Sequence, residues 1–271
     1  VTRQVRIMRG WEWGRPVRPV RREVLDAVPG LDEGRPPLLF VPGFRHGAWA
    51  FAEHWLGHAA ARGFPAHALS LRGQPGSDPA PEATLRAYAH DVVQVAASLP
   101  RQAVLVGHGA GALVVAHALA RYPARAAVLV APVFGGWGTA LAALRRNPLG
   151  TLPALFGGRL GVSRAQLFGR ELPGEDARRH LARLGHPARR AQWQLLFGRA
   201  PEPAVGDPPV LVLGSPDDRV LPGPALTRAA RRYGSAPLLF PGMGHDLMLD
   251  ARWREPVDAL LDWLAKEPSR G

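Results

Sequence analysis

Apolar residues along the chain gather into short, nearly continuous runs, with longer stretches of helical spacing between them. "PLLFVPG" (37–43), "HALSLRG" (67–73), "QAVLVGHG" (102–109), "RAAVLVAP" (125–132), "PVLVLGS" (209–215) and "APLLFPG" (236–242) are such runs. Their brevity, their aliphatic content and the Gly or Pro that closes several of them read as buried strands. Stretch 85–99 and the closing "ARWREPVDALLDWLAKE" (251–267) instead repeat apolar or small residues every three to four positions, as amphipathic helices do. Strands alternating with helices predict an α/β fold, a mostly parallel central sheet with helices on both faces. The segment ahead of residue 37 is expected to add one or two antiparallel edge strands, where its prolines are tolerated.

That rhythm breaks between about 135 and 205, where no strand-like run occurs and several short helical ones do. The segment is too long for a simple connection. The expected organisation is a core of residues 1–134 and 206–271 and a helical cap or lid formed by 135–205.

Composition narrows the function more than the fold. The 271 residues, 46% hydrophobic, suffice for one sizeable core. With no cysteine, disulfides, thiolate zinc sites and cysteine nucleophiles are excluded. The net charge of +12 comes almost wholly from arginine, Lys266 being the sole lysine. The arginines are scattered in ones and twos without a nucleic-acid-binding motif, so a solvated basic surface is expected and a nucleic-acid partner is not. No apolar run approaches the length of a membrane span, and the first residues carry no secretory h-region, so a cytoplasmic protein without a membrane partner is the expectation. The ten histidines include no H-E-x-x-H, and His54 and His58 lack an evident third ligand, so neither a metal nor another cofactor is expected.

The chemistry concentrates at "VLVGHGAGALVV" (104–115), a strand, a sharp turn and a helix. Gly107, Gly109 and Ala112 satisfy the dinucleotide fingerprint G-x-G-x-x-A, but no acidic residue occurs from Val92 to Arg170 to hold a ribose. The same turn has the form of a G-x-S-x-G nucleophile elbow with Gly109 where the serine stands. An elbow requires an acid and then a histidine further along, each just past a strand. "VLVLGSPDDRVLP" supplies Asp217 and Asp218, and "FPGMGHDLML" supplies His245. Side chains at the carboxyl ends of neighbouring parallel strands converge on one crevice, so these distant segments can meet.

With "FVPGFRHGAWAF" and "LSLRGQPGSD", these segments make five motifs in the order in which they resemble the α/β-hydrolase-fold superfamily, its esterase and hydroxynitrile-lyase-like branch, over essentially the whole chain. The resemblance implies Asp218, four residues before Pro222, as the orienting acid, with Asp217 as the alternative, and His245 as the general base. It implies the backbone N–H groups of Phe44 and Ala110 as the oxyanion hole. Pro42 departs from the family's usual histidine before Gly43, and Gly109 departs from its nucleophile. Without a hydroxyl no acyl-enzyme can form at that position. Glycine also adopts a strained elbow conformation at little cost, so the turn survives the loss of the serine.

Three readings follow: an esterase-like acyl hydrolase lineage that is inactive or weakly active as written, a ligand- or partner-binding pseudo-hydrolase, and an Asp–His base acting alone as a lyase or cyclase. The hydroxyls of Ser70, Thr139 and Ser215 read as turn or capping groups rather than relocated nucleophiles. His108 is expected to pack near the sheet, and Arg45 to lie on the surface or to meet an anionic substrate. His46, Trp49, Phe134, Trp137 and Met243 are the expected substrate-binding residues, with Leu141, Phe156, Phe168, Trp193 and Phe197 under the lid. So many aromatic groups point to a small apolar or acyl ligand.

Overall fold

The computed structural model describes residues 10–266 apart from 13, 156, 157, 159, 160, 187, 198, 199 and 222. Its strands are β1 (Val24–Ala27), β2 (Leu38–Val41), β3 (Ala66–Leu69), β4 (Val104–His108), β5 (Ala126–Val130), β6 (Val210–Gly214) and β7 (Leu238–Leu239). They form one sheet in the order β1-β3-β2-β4-β5-β6-β7. Every neighbouring pair is parallel except β1 with β3, so of the one or two antiparallel edge strands expected ahead of residue 37, one is present among the described residues.

Strand alternation sorts the core onto two faces. The register Phe40–Val106–Val128 points to one side. There it meets Phe51 and Trp55 from the short helices α1 (Trp49–Ala52) and α2 (Trp55–Ala61). The intervening row, Val41 and Leu129 with Val212, faces α3 (Leu85–Ser98) and α4 (Ala110–Leu119). Thr84 starts α3, its hydroxyl oxygen accepting the Ala87 N–H at 3.2 Å.

Between β5 and β6 the chain runs through α5 (Trp137–Arg146), α6 (Pro148–Leu155), α7 (Arg164–Leu167), α8 (Gly174–Ala182) and α9 (Arg189–Phe197). No strand interrupts these helices among the described residues. Two further helices, α10 (Gly223–Arg232) and α11 (Arg254–Lys266), follow β6 and β7 respectively. The consequence for function is positional. The segments that leave β2, β4, β6 and β7 all emerge at the carboxyl end of the sheet, the end at which open α/β sheets build their crevice.

Candidate active site

The turn from β4 into α4 is made by Gly109, at φ 53 and ψ −120. This conformation is unfavourable for a residue with a Cβ and nearly free for glycine. The turn is pinned on both sides: the Gly109 N–H donates to the Val130 carbonyl at 2.9 Å, and its own carbonyl accepts from Val133 at 2.9 Å. Two residues on, a Cβ at Gly111 would lie 2.4 Å from the Pro42 carbonyl oxygen, so a glycine there lets α4 pack against the β2 loop. Ala110 opens α4, and its N–H is one of the donors that a helix N-terminus leaves without an intrahelical partner.

The loop after β2 brings a second donor to the same place. The Gly43 carbonyl accepts from the Gln74 side chain at 3.2 Å and from the His46 N–H at 3.2 Å. In a trans peptide the N–H of the next residue points the opposite way, so this anchoring fixes the aim of the Phe44 N–H. Arg45 follows at a positive φ of 75. Its Nε donates to the Gly185 carbonyl at 2.9 Å while the Gly185 N–H donates back to the Arg45 carbonyl at 2.7 Å, tying this loop to the helical segment.

His245 stands in the loop after β7. Its Nδ1 lies 2.7 Å from Asp218 Oδ2, and both side chains are buried. The other carboxylate oxygen of Asp218 accepts from the N–H groups of Val220 and Leu221, at 2.7 and 2.9 Å. Asp217 instead accepts the Gly242 N–H at 2.7 Å, which separates the two neighbouring acids. Nε2 of His245 has no hydrogen-bond partner among the described residues and is directed at the elbow: a Cβ on Gly109 would lie 3.0 Å from it. Burial lowers the basicity of the imidazole, but the Asp218 carboxylate, the hydrogen bond to it and the nearby Asp246 prevail and hold it above the ordinary histidine value.

A second cluster lies behind this pair. Asp246, wholly buried, accepts from His46 Nε2 at 2.9 Å and lies 3.4 Å from His108 Nε2, which is also 3.2 Å from the His245 carbonyl. Burial alone would raise the Asp246 pKa, yet His46 and the neighbouring imidazoles hold it down at about 2. Burial pushes His108 down to about 3, against the pull of Asp246, so that ring stays neutral. These three residues are the described set whose donor atoms lie close enough to share a cation. Metal-bound imidazoles ordinarily donate their second N–H to a partner. Here Nδ1 of both His46 and His108 is buried without one, an arrangement that suits a hydrogen-bonded cluster instead.

Gly109, Phe44, Ala110 and His245 line one cleft of about 90 Å³. Its walls are aliphatic: Val133 and Val220 from the core, and Val162, Leu167, Leu184 and Leu195 from the helical segment. His46 and Arg45 also reach it. The Trp49 ring packs instead between His46 and His180, under the Arg183 guanidinium. Phe134 packs toward Tyr233, and Met243 lines a different surface cleft beside Gly244. Phe168 is buried against His180, whereas Leu141 and Trp193, the latter packed at a tilt on Phe197, are about half exposed. Phe156 and Pro222 lie outside the described residues, as do the side chains of Trp137 and Thr139. The hydroxyls of Ser70 and Ser215 are engaged, donating to Glu23 at 2.7 Å and to the Met243 carbonyl at 2.8 Å.

The residues that sequence reasoning missed are the aliphatic walls, Asp246 and Asp250. Asp250 Oδ2 accepts the N–H groups of Gly169 and Gly244, each at 2.8 Å, and so stitches the histidine loop to the end of α7. The adjacency of Asp246 to His245 in "GHDLMLD" was the available signal for the first of these acids.

Solved structures with the same architecture include a thermophilic esterase from Thermogutta terrifontis, 21% identical over 91% of this chain and 94% of that one, with a TM-score of 0.68. An esterase from Rhodococcus sp. ECU1013 is 23% identical over 91% of this chain and 98% of its own, also with a TM-score of 0.68. A monoglyceride lipase from Saccharomyces cerevisiae is 14% identical over 91% and 92% of the two chains, with a TM-score of 0.70. No curated protein matches the sequence. The sequence does match the alpha/beta hydrolase family over residues 38–262, most of its length. The chain belongs to that family.

Proposed function

We propose that the cleft is an esterase-type site for small apolar acyl compounds, in which Gly109 occupies the nucleophile position. Phe44 and Ala110 supply the oxyanion donors, His245 the general base and Asp218 its orienting acid, with residues 135–205 as the cap. The observation that carries this reading is the convergence at one point: two backbone donors, a carboxylate-held imidazole and the elbow glycine share a cleft whose walls are aliphatic. A glycine has no oxygen to attack with, so no acyl-enzyme forms.

The route left to such a site is direct hydrolysis. His245 Nε2 takes a proton from a water molecule as its oxygen attacks the ester carbonyl. The negative charge on the former carbonyl oxygen rests on the N–H groups of Phe44 and Ala110. Collapse breaks the bond to the alkoxide, which recovers the proton from His245. Where a serine nucleophile is removed from a serine hydrolase, turnover falls by about 10⁶-fold, with roughly 10³–10⁴ over water remaining.

The experiment restores the missing group. Gly109→Ser is expected to hydrolyse p-nitrophenyl esters with a burst of p-nitrophenol and to be labelled covalently by an alkyl phosphonate, while the parent chain shows no burst and takes no label. The Cβ must displace His245 by a few tenths of an ångström, a small shift for a ring at the end of a loop. A folded Gly109→Ser chain that is neither labelled nor active against any acyl length would overturn the esterase reading.

A further inference from the structure

The feature that disables an ester hydrolase leaves something positive behind. A serine at the elbow fills the space between α4 and His245 with its own oxygen. With glycine there, that space stays open, and a ligand oxygen resting against the Gly109 Cα can reach Nε2 of His245, which has no other partner among the described residues. The donors around the space are all suited to negative charge. Ala110 opens a ten-residue helix whose N-terminal dipole favours anions. The Phe44 N–H is held in place through Gly43 and Gln74.

We propose that this cleft binds the carboxylate of a short aliphatic acid, one oxygen on the N–H groups of Phe44 and Ala110 and the other on the protonated Nε2 of His245. The assignment of Phe44 and Ala110 as oxyanion donors is shared with the esterase reading; the ligand and the part played by Gly109 are not. The hydrocarbon tail lies among Val133, Val162, Leu167, Leu184 and Leu195, a lining that offers it no polar competition. His245 is faced by Asp218, Asp246 and His108, and Arg45 adds a positive charge to the cleft wall. The two carboxylates keep the imidazole protonated to higher pH than usual, which keeps Nε2–H available as a charged donor. A bound carboxylate then carries the same charge, in the same cradle, as the tetrahedral intermediate of ester hydrolysis.

The test is a titration of the intact chain with hexanoate and, as a neutral match, hexan-1-ol, followed calorimetrically and by the side-chain nitrogen resonances of His245. At pH 6 hexanoate is expected to bind roughly tenfold or more tighter than the alcohol, the worth of one charge-assisted hydrogen bond. That preference should shrink as pH rises through the titration of His245. Gly109→Ser, whose hydroxyl takes the open space, should weaken hexanoate by a similar factor. His245→Gln, which keeps the volume and removes the charge, should also abolish the preference. Equal affinity for acid and alcohol overturns the proposal, as does undiminished hexanoate binding in either folded variant. A Gly109→Ser chain that hydrolyses esters while the parent ignores hexanoate leaves the esterase reading standing and removes this one. The converse result does the reverse.

Discussion

Two Asp–His pairs sit side by side in this molecule, and their surroundings give them different work. In Asp218–His245 the carboxylate holds Nδ1, and Nε2 is turned toward the cleft floor at Gly109. In Asp246–His46 the carboxylate holds Nε2, Nδ1 is enclosed without a partner, and a third imidazole, His108, closes the far side. The first pair keeps one nitrogen for a visitor. The second lies buried behind the cleft and joins the loops after β2 and β7 to the end of β4. The lesson is that an Asp–His contact identifies chemistry only when the remaining nitrogen has somewhere to act.

The comparison is broken most severely by catalysis. In a Gly109→Ser background, Asp218→Asn is expected to cut turnover of p-nitrophenyl hexanoate about 10⁴-fold, as loss of an orienting acid does. Asp246→Asn should leave most of that turnover, and equal losses in steady-state assays would erase the distinction. Stability should rank the pairs the other way. Asp246→Ala leaves the buried His46 Nε2 without its acceptor and is expected to cost about 1–3 kcal/mol in urea unfolding, more than Asp218→Ala, whose neighbours include the cleft.

Acid sharpens the contrast further. His108, held down at about 3, binds its proton more readily in the unfolded chain, so its contribution to stability is complete above about pH 6.5 and is lost as pH falls toward 3. His245, held above its ordinary value, does the opposite: its contribution is complete below about 6.5 and is lost as pH rises through its raised pKa. Urea midpoints between pH 4 and 8 should therefore respond in opposite senses to His108→Gln and His245→Gln, and parallel responses would contradict the assignment. The smallest effect lies outside both pairs. Thr84→Ala, which removes the cap of α3, should cost about 1 kcal/mol and leave ligand binding and turnover untouched.

The strands were legible because they are buried on both faces: Leu38 to Val41 and Val104 to His108 leave no room for polar residues, and the pattern survives in the sequence. The pair Asp217–Asp218 and His245 were legible as candidates because they stand just past strand ends, where position predicts convergence, while the preference for Asp218 came from the family resemblance. Their partners behind the cleft were not. His46 and Asp246 are 200 residues apart, and no local spacing announces their contact. The cleft walls were misjudged for a related reason. Large side chains such as Trp49, Phe134 and Met243 drew the expectation, whereas a cavity of about 90 Å³ is lined by medium-sized aliphatics, several of them in α7, α9 and the loops around them. Those helices are short, so periodicity had little length in which to show itself.

The reciprocal hydrogen bonds between Arg45 and Gly185 join the loop after β2 to the helical segment between β5 and β6. Any separation of the two segments at this point must break both bonds. In the proposed site, the loop that carries the Phe44 N–H is thereby anchored to the segment whose Val162, Leu167, Leu184 and Leu195 wall the cleft, so that donor and wall are held as one piece.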